Sequence, residues 1–135
     1  MIHFDSSFLI DLQRELVRER PGPAFELIES FDAGEILGAS VYVVCELRAG
    51  AELTKKALAE HEAIDRLLSG LLVAYPDDRF PILYGRLLAA TRRARQAVAS
   101  MDLLIATAAL LEDAALVTRN VKDFSKIPGL RVLSY

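Results

Sequence analysis

Four acidic residues stand where a charge is locally out of place. Asp5 directly follows the apolar-rich run Ile2-His3-Phe4, at the carboxyl end of what reads as a first strand. Glu46 lies inside Val43-Val44-Cys45-Glu46-Leu47, with no basic residue three or four positions to either side. Asp102 opens a stretch that is apolar almost all round, and Asp123 follows a predicted strand through a tight connection. Each has a plainer role open to it. Asp5 fits a helix N-cap, Asp102 fits a first-turn acid favoured by the helix dipole, and Asp123 fits an ordinary turn. Glu46 is the hardest to explain that way, because an unpaired acid among apolar neighbours needs a reason. Carboxylates gathered in one place repel one another unless they share a cation, and hard oxygen donors suit Mg²⁺ or Mn²⁺.

The elements that must position these residues can be read from pattern and punctuation. Met1 to Phe4 predicts a strand, Ser7 to Glu19 a helix, and Pro21-Gly22-Pro23 a break. Ala24 to Phe31 predicts a second helix and Ile36 to Ser40 a second strand. Val43, Val44 and Leu47 predict a helix ending at Gly50, followed by a mixed-charge helix from Leu53 to Leu68. Leu71 to Tyr75 reads as a strand. Asp77-Asp78 is expected to open a helix whose apolar stripe is Leu83, Leu87, Ala90 and Ala94. Asp102 to Glu112 predicts a buried helix, and Ala115 to Thr118 and Leu130 to Leu133 the last strands. Strands alternating with helices imply an α/β fold, a three-layer α/β/α domain over residues 1–135 with a mostly parallel sheet of four to five strands. In a parallel sheet all four acids fall on one edge, where ligands of such folds bind.

Composition narrows the function classes. The chain has 135 residues, 53% hydrophobic and 26% charged, which excludes intrinsic disorder and fits one core. Sixteen Lys and Arg against nineteen Asp and Glu leave a net charge of −3, so nucleic-acid binding through bulk positive charge is excluded and a local patch would be needed. One cysteine and two histidines exclude a disulfide framework and a zinc ligand set. No signal-peptide pattern and no apolar run of membrane-spanning length is present, so a cytoplasmic protein without membrane attachment is expected. The glycines show neither a dinucleotide fingerprint nor a P-loop.

The residues also carry a family resemblance. Asp5-Ser6-Ser7-Phe8-Leu9-Ile10-Asp11 resembles the opening of PIN-domain ribonucleases of the VapC toxin type. Val44-Cys45-Glu46-Leu47-Arg48-Ala49-Gly50 is similar to that family's second motif. Met101-Asp102-Leu103-Leu104-Ile105-Ala106-Thr107-Ala108 and Leu116-Val117-Thr118-Arg119-Asn120-Val121-Lys122-Asp123-Phe124 are similar to its third and fourth. The resemblance spans essentially the whole chain. It implies a Mg²⁺- or Mn²⁺-dependent endoribonuclease with Asp5, Glu46, Asp102 and Asp123 as catalytic acids, Asp5 and Asp102 among them holding metal. It further implies an RNA substrate, a cognate antitoxin protein and a homodimer. Ser6, Thr118 and Asn120, with Arg119 and Lys122 for phosphate, would position the substrate. Two departures stand out. Many relatives have Thr-Asn where Ser6-Ser7 stands, and some place the fourth acid at Asn120 rather than Asp123.

Other residues receive plainer readings. Arg86, Arg92, Arg93 and Arg95 read as a solvated helix face, with a phosphate-binding patch as the alternative. Cys45 is expected to be a small buried hydrophobe, and His3 and His61 structural or exposed. A haloacid-dehalogenase-like reading of Asp5 fails at Ser7, where its second Asp would stand. The competing reading of another class is a catalytically silent PIN-like module that binds RNA or protein, though a pure binder gains nothing from four repelling carboxylates.

Overall fold

The computed structural model describes residues 1–135. Five short strands run parallel in one sheet: β1 (Ile2–Phe4), β2 (Leu37–Ser40), β3 (Leu72–Ala74), β4 (Ala115–Val117) and β5 (Val132–Leu133). Seven helices connect them: α1 (Ser6–Val17), α2 (Pro23–Ser30), α3 (Val41–Glu52), α4 (Ala57–Leu68), α5 (Phe80–Arg93), α6 (Ser100–Leu111) and α7 (Val121–Phe124). The sheet order is β3-β2-β1-β4-β5, with every pairing parallel. From β1 the chain winds outward to β3, then returns to β4 on the other side of β1. Right-handed crossovers therefore put α1–α4 on one face and α5–α7 on the other, which makes three layers. The point where the winding reverses, between β1 and β4, opens a crevice at the strands' carboxyl ends.

The central strands β1 and β4 are buried along their whole length because helices cover both faces there, whereas the edge strand β3 leaves Leu72 exposed. Phe4 is fully buried and stacks on Phe8 of α1 at 4.5 Å between ring centroids, with Phe31 behind it at 6.4 Å. α6 is the central helix. Leu103 and the run Ile105 to Ala109 are buried, as its lack of a polar face requires. No helix is long and apolar enough to cross a membrane.

Several boundaries differ from the sequence expectation for local reasons. Gly50 does not end α3; the helix runs on to Glu52, and the Leu53 backbone N–H closes it onto the Ala49 and Gly50 carbonyls. The following helix accordingly starts at Ala57 rather than Leu53. Asp77-Asp78 forms a turn instead of the first turn of α5, because Asp77 Oδ1 accepts the Arg79 backbone N–H at 2.9 Å and the carboxylate takes the Arg79 guanidinium. Cys45 is exposed, not buried. Val43, Leu47 and Ala51 form the buried stripe of α3, and Cys45 sits two residues from Val43, about 200° around the helix.

Candidate active site

Each acid reaches the crevice edge on a different element. Asp5 is the residue after β1; its backbone N–H donates to the Val117 carbonyl of β4 at 2.9 Å, which fixes it across the reversal point. It occupies the N-cap position of α1, yet its side chain caps nothing. Instead Oδ2 accepts the Thr118 hydroxyl at 2.7 Å and the Ser7 hydroxyl at 3.2 Å, while Oδ1 takes no protein donor. Asp5 is only 6% exposed. A buried carboxylate with one oxygen braced and the other free suits a cation. Its ordinary capping role is therefore set aside here.

Glu46 lies in the second turn of α3, whose start is capped by Ser40 Oγ accepting from the Val43 N–H at 3.2 Å. Burial pushes its carboxyl up, and the nearby Asp5 and Asp102 charges push it further, while the Ser6 hydroxyl donating to Oε1 at 3.0 Å partly offsets them. Asp102, in the first turn of α6, is also raised, first by burial and then by Asp5 and Asp123. Asp123, on the one-turn helix α7, is lowered by the Asn120 side chain, with Lys126 and Lys122 adding to it. The charge of Asp5 acts on both Glu46 and Asp102, and that of Asp123 acts on Asp102, which links the four predicted acids in a chain. Asn120, which the sequence offered as an alternative to Asp123 for one position, instead acts on the Asp123 carboxylate as a hydrogen-bond donor. No three His, Cys, Asp or Glu side chains converge tightly enough to enclose an ion by themselves.

The polar frame around Asp5 is a relay of short bonds. The Asn120 N–H donates to Thr118 Oγ1 at 2.9 Å, and the Arg119 N–H donates to Ser7 Oγ at 3.1 Å. Ser7, the residue that departs from the family's amide, thus braces the Asp5 carboxylate with a hydroxyl. The Arg119 guanidinium turns to Asp11, at 3.1 Å from Oδ2, and the Tyr135 hydroxyl donates to the same oxygen at 2.7 Å. Sequence reasoning missed Asp11 and Tyr135. Asp11 stands four residues after Ser7, on the same helix face, which was a usable signal; the contact of Tyr135 with Phe8 at 4.9 Å had none.

A PIN-domain family model matches residues 2–130. The chain belongs to the PIN-domain family, in its VapC branch. It is 29% identical to ribonuclease VapC2 of Rickettsia felis over 84% of this chain and 85% of that protein. It is 30% identical to ribonuclease VapC19 of Mycobacterium tuberculosis over 85% of this chain and 88% of that protein. Among solved structures, VapBC2 of Rickettsia felis bound to a promoter DNA fragment superposes with TM-score 0.88 at 26% identity, covering 100% of this chain and 99% of that one. VapBC-1 of nontypeable Haemophilus influenzae superposes with TM-score 0.86 at 27% identity, covering 99% and 98%. The three-layer α/β/α architecture expected from the sequence is the PIN fold.

Proposed function

We propose that this PIN domain is an endoribonuclease dependent on Mg²⁺ or Mn²⁺, acting in the cytoplasm as the toxin of a toxin–antitoxin pair. What supports this reading is that Asp5, Glu46, Asp102 and Asp123 all lie at the carboxyl edge of the parallel sheet, with Glu46 and Asp102 raised first by burial and then by Asp5. An all-carboxylate set with a free Asp5 Oδ1 fits a hard divalent cation. Asp5 and Asp102 would hold it through their carboxylate oxygens. When bound, the cation supplies Lewis acidity to the scissile phosphate and lowers the pKa of an attacking water. Glu46, which burial makes a stronger base than an ordinary carboxylate, would serve as the general base toward an attacking water. Asp123 stays ionised at the rim, and Ser6, Thr118 and Asn120 hold the carboxylates in position. Arg119 braces Ser7 through its backbone, and Lys122 offers a side-chain cation to phosphate.

Two partners belong to this reading besides RNA. A homodimer follows from the family, and so does an antitoxin. A groove of about 550 Å³ between α1, α3 and α4 has a mixed lining, apolar at Ile10, Val17, Leu47 and Ile64 and charged at Arg14, Arg18 and Glu60, which suits an amphipathic partner segment. Relatives solved as VapBC assemblies support the same pairing.

Incubation with structured RNA tests the nuclease directly. Cleavage is expected with Mg²⁺ or Mn²⁺, with little in Ca²⁺, whose looser coordination misplaces the water, and none in EDTA. Glu46→Gln should lower cleavage about 100-fold or more. Cleavage that survives exhaustive chelation rejects the metal mechanism, and a wild-type chain that binds RNA without cutting it favours the silent-module reading.

A further inference from the structure

The turn between α5 and α6, Ala94 to Ala99, is anchored to the acidic site. Lys126, at the end of the α7 turn, donates from Nζ to the Ala97 carbonyl at 3.2 Å and pairs with Asp123 Oδ1 at 3.5 Å. Asp123 in turn acts on Asp102, two residues into α6. Lys126 thus ties the turn, through Ala97, to one acid of the crevice, and the chain enters α6 and reaches Asp102 directly after it. Arg92, Arg93 and Arg95 lead into it, all three exposed and none in an ion pair. By contrast, Arg119, nearest the site in sequence, has its guanidinium engaged by Asp11. Lys122 on α7 is likewise exposed and unpaired.

We propose that Arg92, Arg93 and Arg95, continued by Lys122, form the track on which the RNA backbone flanking the cut phosphate lies. This rests on the nuclease reading above and deepens it by naming the surface that receives the substrate. The chemistry matches. A chain with net charge −3 whose catalytic edge is itself a set of carboxylates repels a polyanion, so binding needs unpaired cations close beside that edge. Guanidinium groups also hold phosphate through paired N–H donors, which an ammonium cannot do. The proposal reverses the ranking that sequence proximity suggests, in which Arg119 carries the phosphate contact and the α5 arginines are merely solvated.

Arg95 provides an unusual test because structure and binding predict opposite signs. It is the residue after the α5 C-cap, in the left-handed region at φ 54°. There its N–H bonds the Arg92 carbonyl and the Gln96 N–H bonds the Thr91 carbonyl, the closing motif that favours glycine. Arg95→Gly should therefore melt at or above the wild-type temperature. The same variant should bind a fluorescein-labelled RNA hairpin more weakly in EDTA, where no cleavage occurs, and lower the slope of log K against log salt by about one unit. Arg92→Gln with Arg93→Gln should lower the slope by about two. The control is Arg18→Gln with Arg20→Gln, which removes as much charge at the far end of α1 and should leave the slope unchanged. Full RNA affinity and slope in the α5 variants, with the wild type binding and cutting, overturns the track and leaves the nuclease reading standing. A wild type that neither binds nor cuts overturns both. Unchanged RNA binding with weakened polyglutamate binding assigns the patch to an acidic polypeptide and also overturns the proposal.

Discussion

His3 is a buried side chain whose polar atoms have no partner. It is 1% exposed on β1, and neither ring nitrogen finds a hydrogen bond. Burial, with a smaller push from the Met1 amino group, lowers its pKa from 6.5 to about 4. The unfolded chain takes up this proton as pH falls through 6.5, whereas the folded chain resists until about 4. Stability is therefore fully present above the unfolded value and is lost on acidification, by about 3 kcal/mol in all. His3→Leu should remove that loss, so urea midpoints of the variant and wild type should diverge between about pH 7 and about pH 4.5. Parallel pH profiles for the two would contradict it. The acids were legible at this scale because each broke a local rule: a charge at a strand end, in an apolar helix, or after a turn. The second layer around them was not. Ser7 shows in the sequence only as a departure from the family motif and Asp11 only by its spacing from Ser7; their contacts, and that of Tyr135, form only when Arg119 is folded back over α1.

Glycine does opposite things in a strand and in a helix of this fold. A Cβ built on Gly38 of β2 would stand 2.7 Å from the Leu72 carbonyl oxygen and 3.2 Å from the Met1 methyl. Because Gly38 pairs with Leu72 in the ladder, that backbone cannot yield without moving β3. Gly38→Ala should cost about 1–3 kcal/mol. At Gly85 of α5 a Cβ meets nothing within 4 Å, so Gly85→Ala should instead stabilise by about 0.5–1 kcal/mol. Denaturant melts of the two variants check the pair, and a shift of the same sign in both would show that close strand approach is not what Gly38 provides. Helices and strands were mostly legible because their apolar spacing reports the core. Their ends were less so. Gly50 resembles a stop but is exposed with open space around it, so α3 continues past it. Asp77 resembles a helix start but is held in a turn by Arg79, a neighbour whose side-chain direction no pattern encodes.

Across the whole molecule, the reversal of winding at β1 brings residues from positions 5, 46, 102 and 123 to one edge. This follows from sheet order, which alternation of strands and helices suggests but does not specify. The arrangement sets a conflict between folding and function that a melt can read. Were Asp102 only complementing the α6 dipole, Asp102→Asn would destabilise the metal-free protein by a few tenths to about 1 kcal/mol. Within the cluster its charge is opposed by burial, Asp5 and Asp123, so removing it relieves repulsion. In EDTA the variant should melt at or above the wild-type temperature. Millimolar Mg²⁺ should then raise the wild-type melting temperature, since a cation held only by the folded chain stabilises it by mass action. The variant should gain less, because it offers one ligand fewer, and its RNA cleavage should fall by orders of magnitude. The two comparisons separate the roles. A charge that serves only the dipole lowers the EDTA melt and leaves the Mg²⁺ response and cleavage intact, so that outcome would take Asp102 out of the site and return it to the helix end.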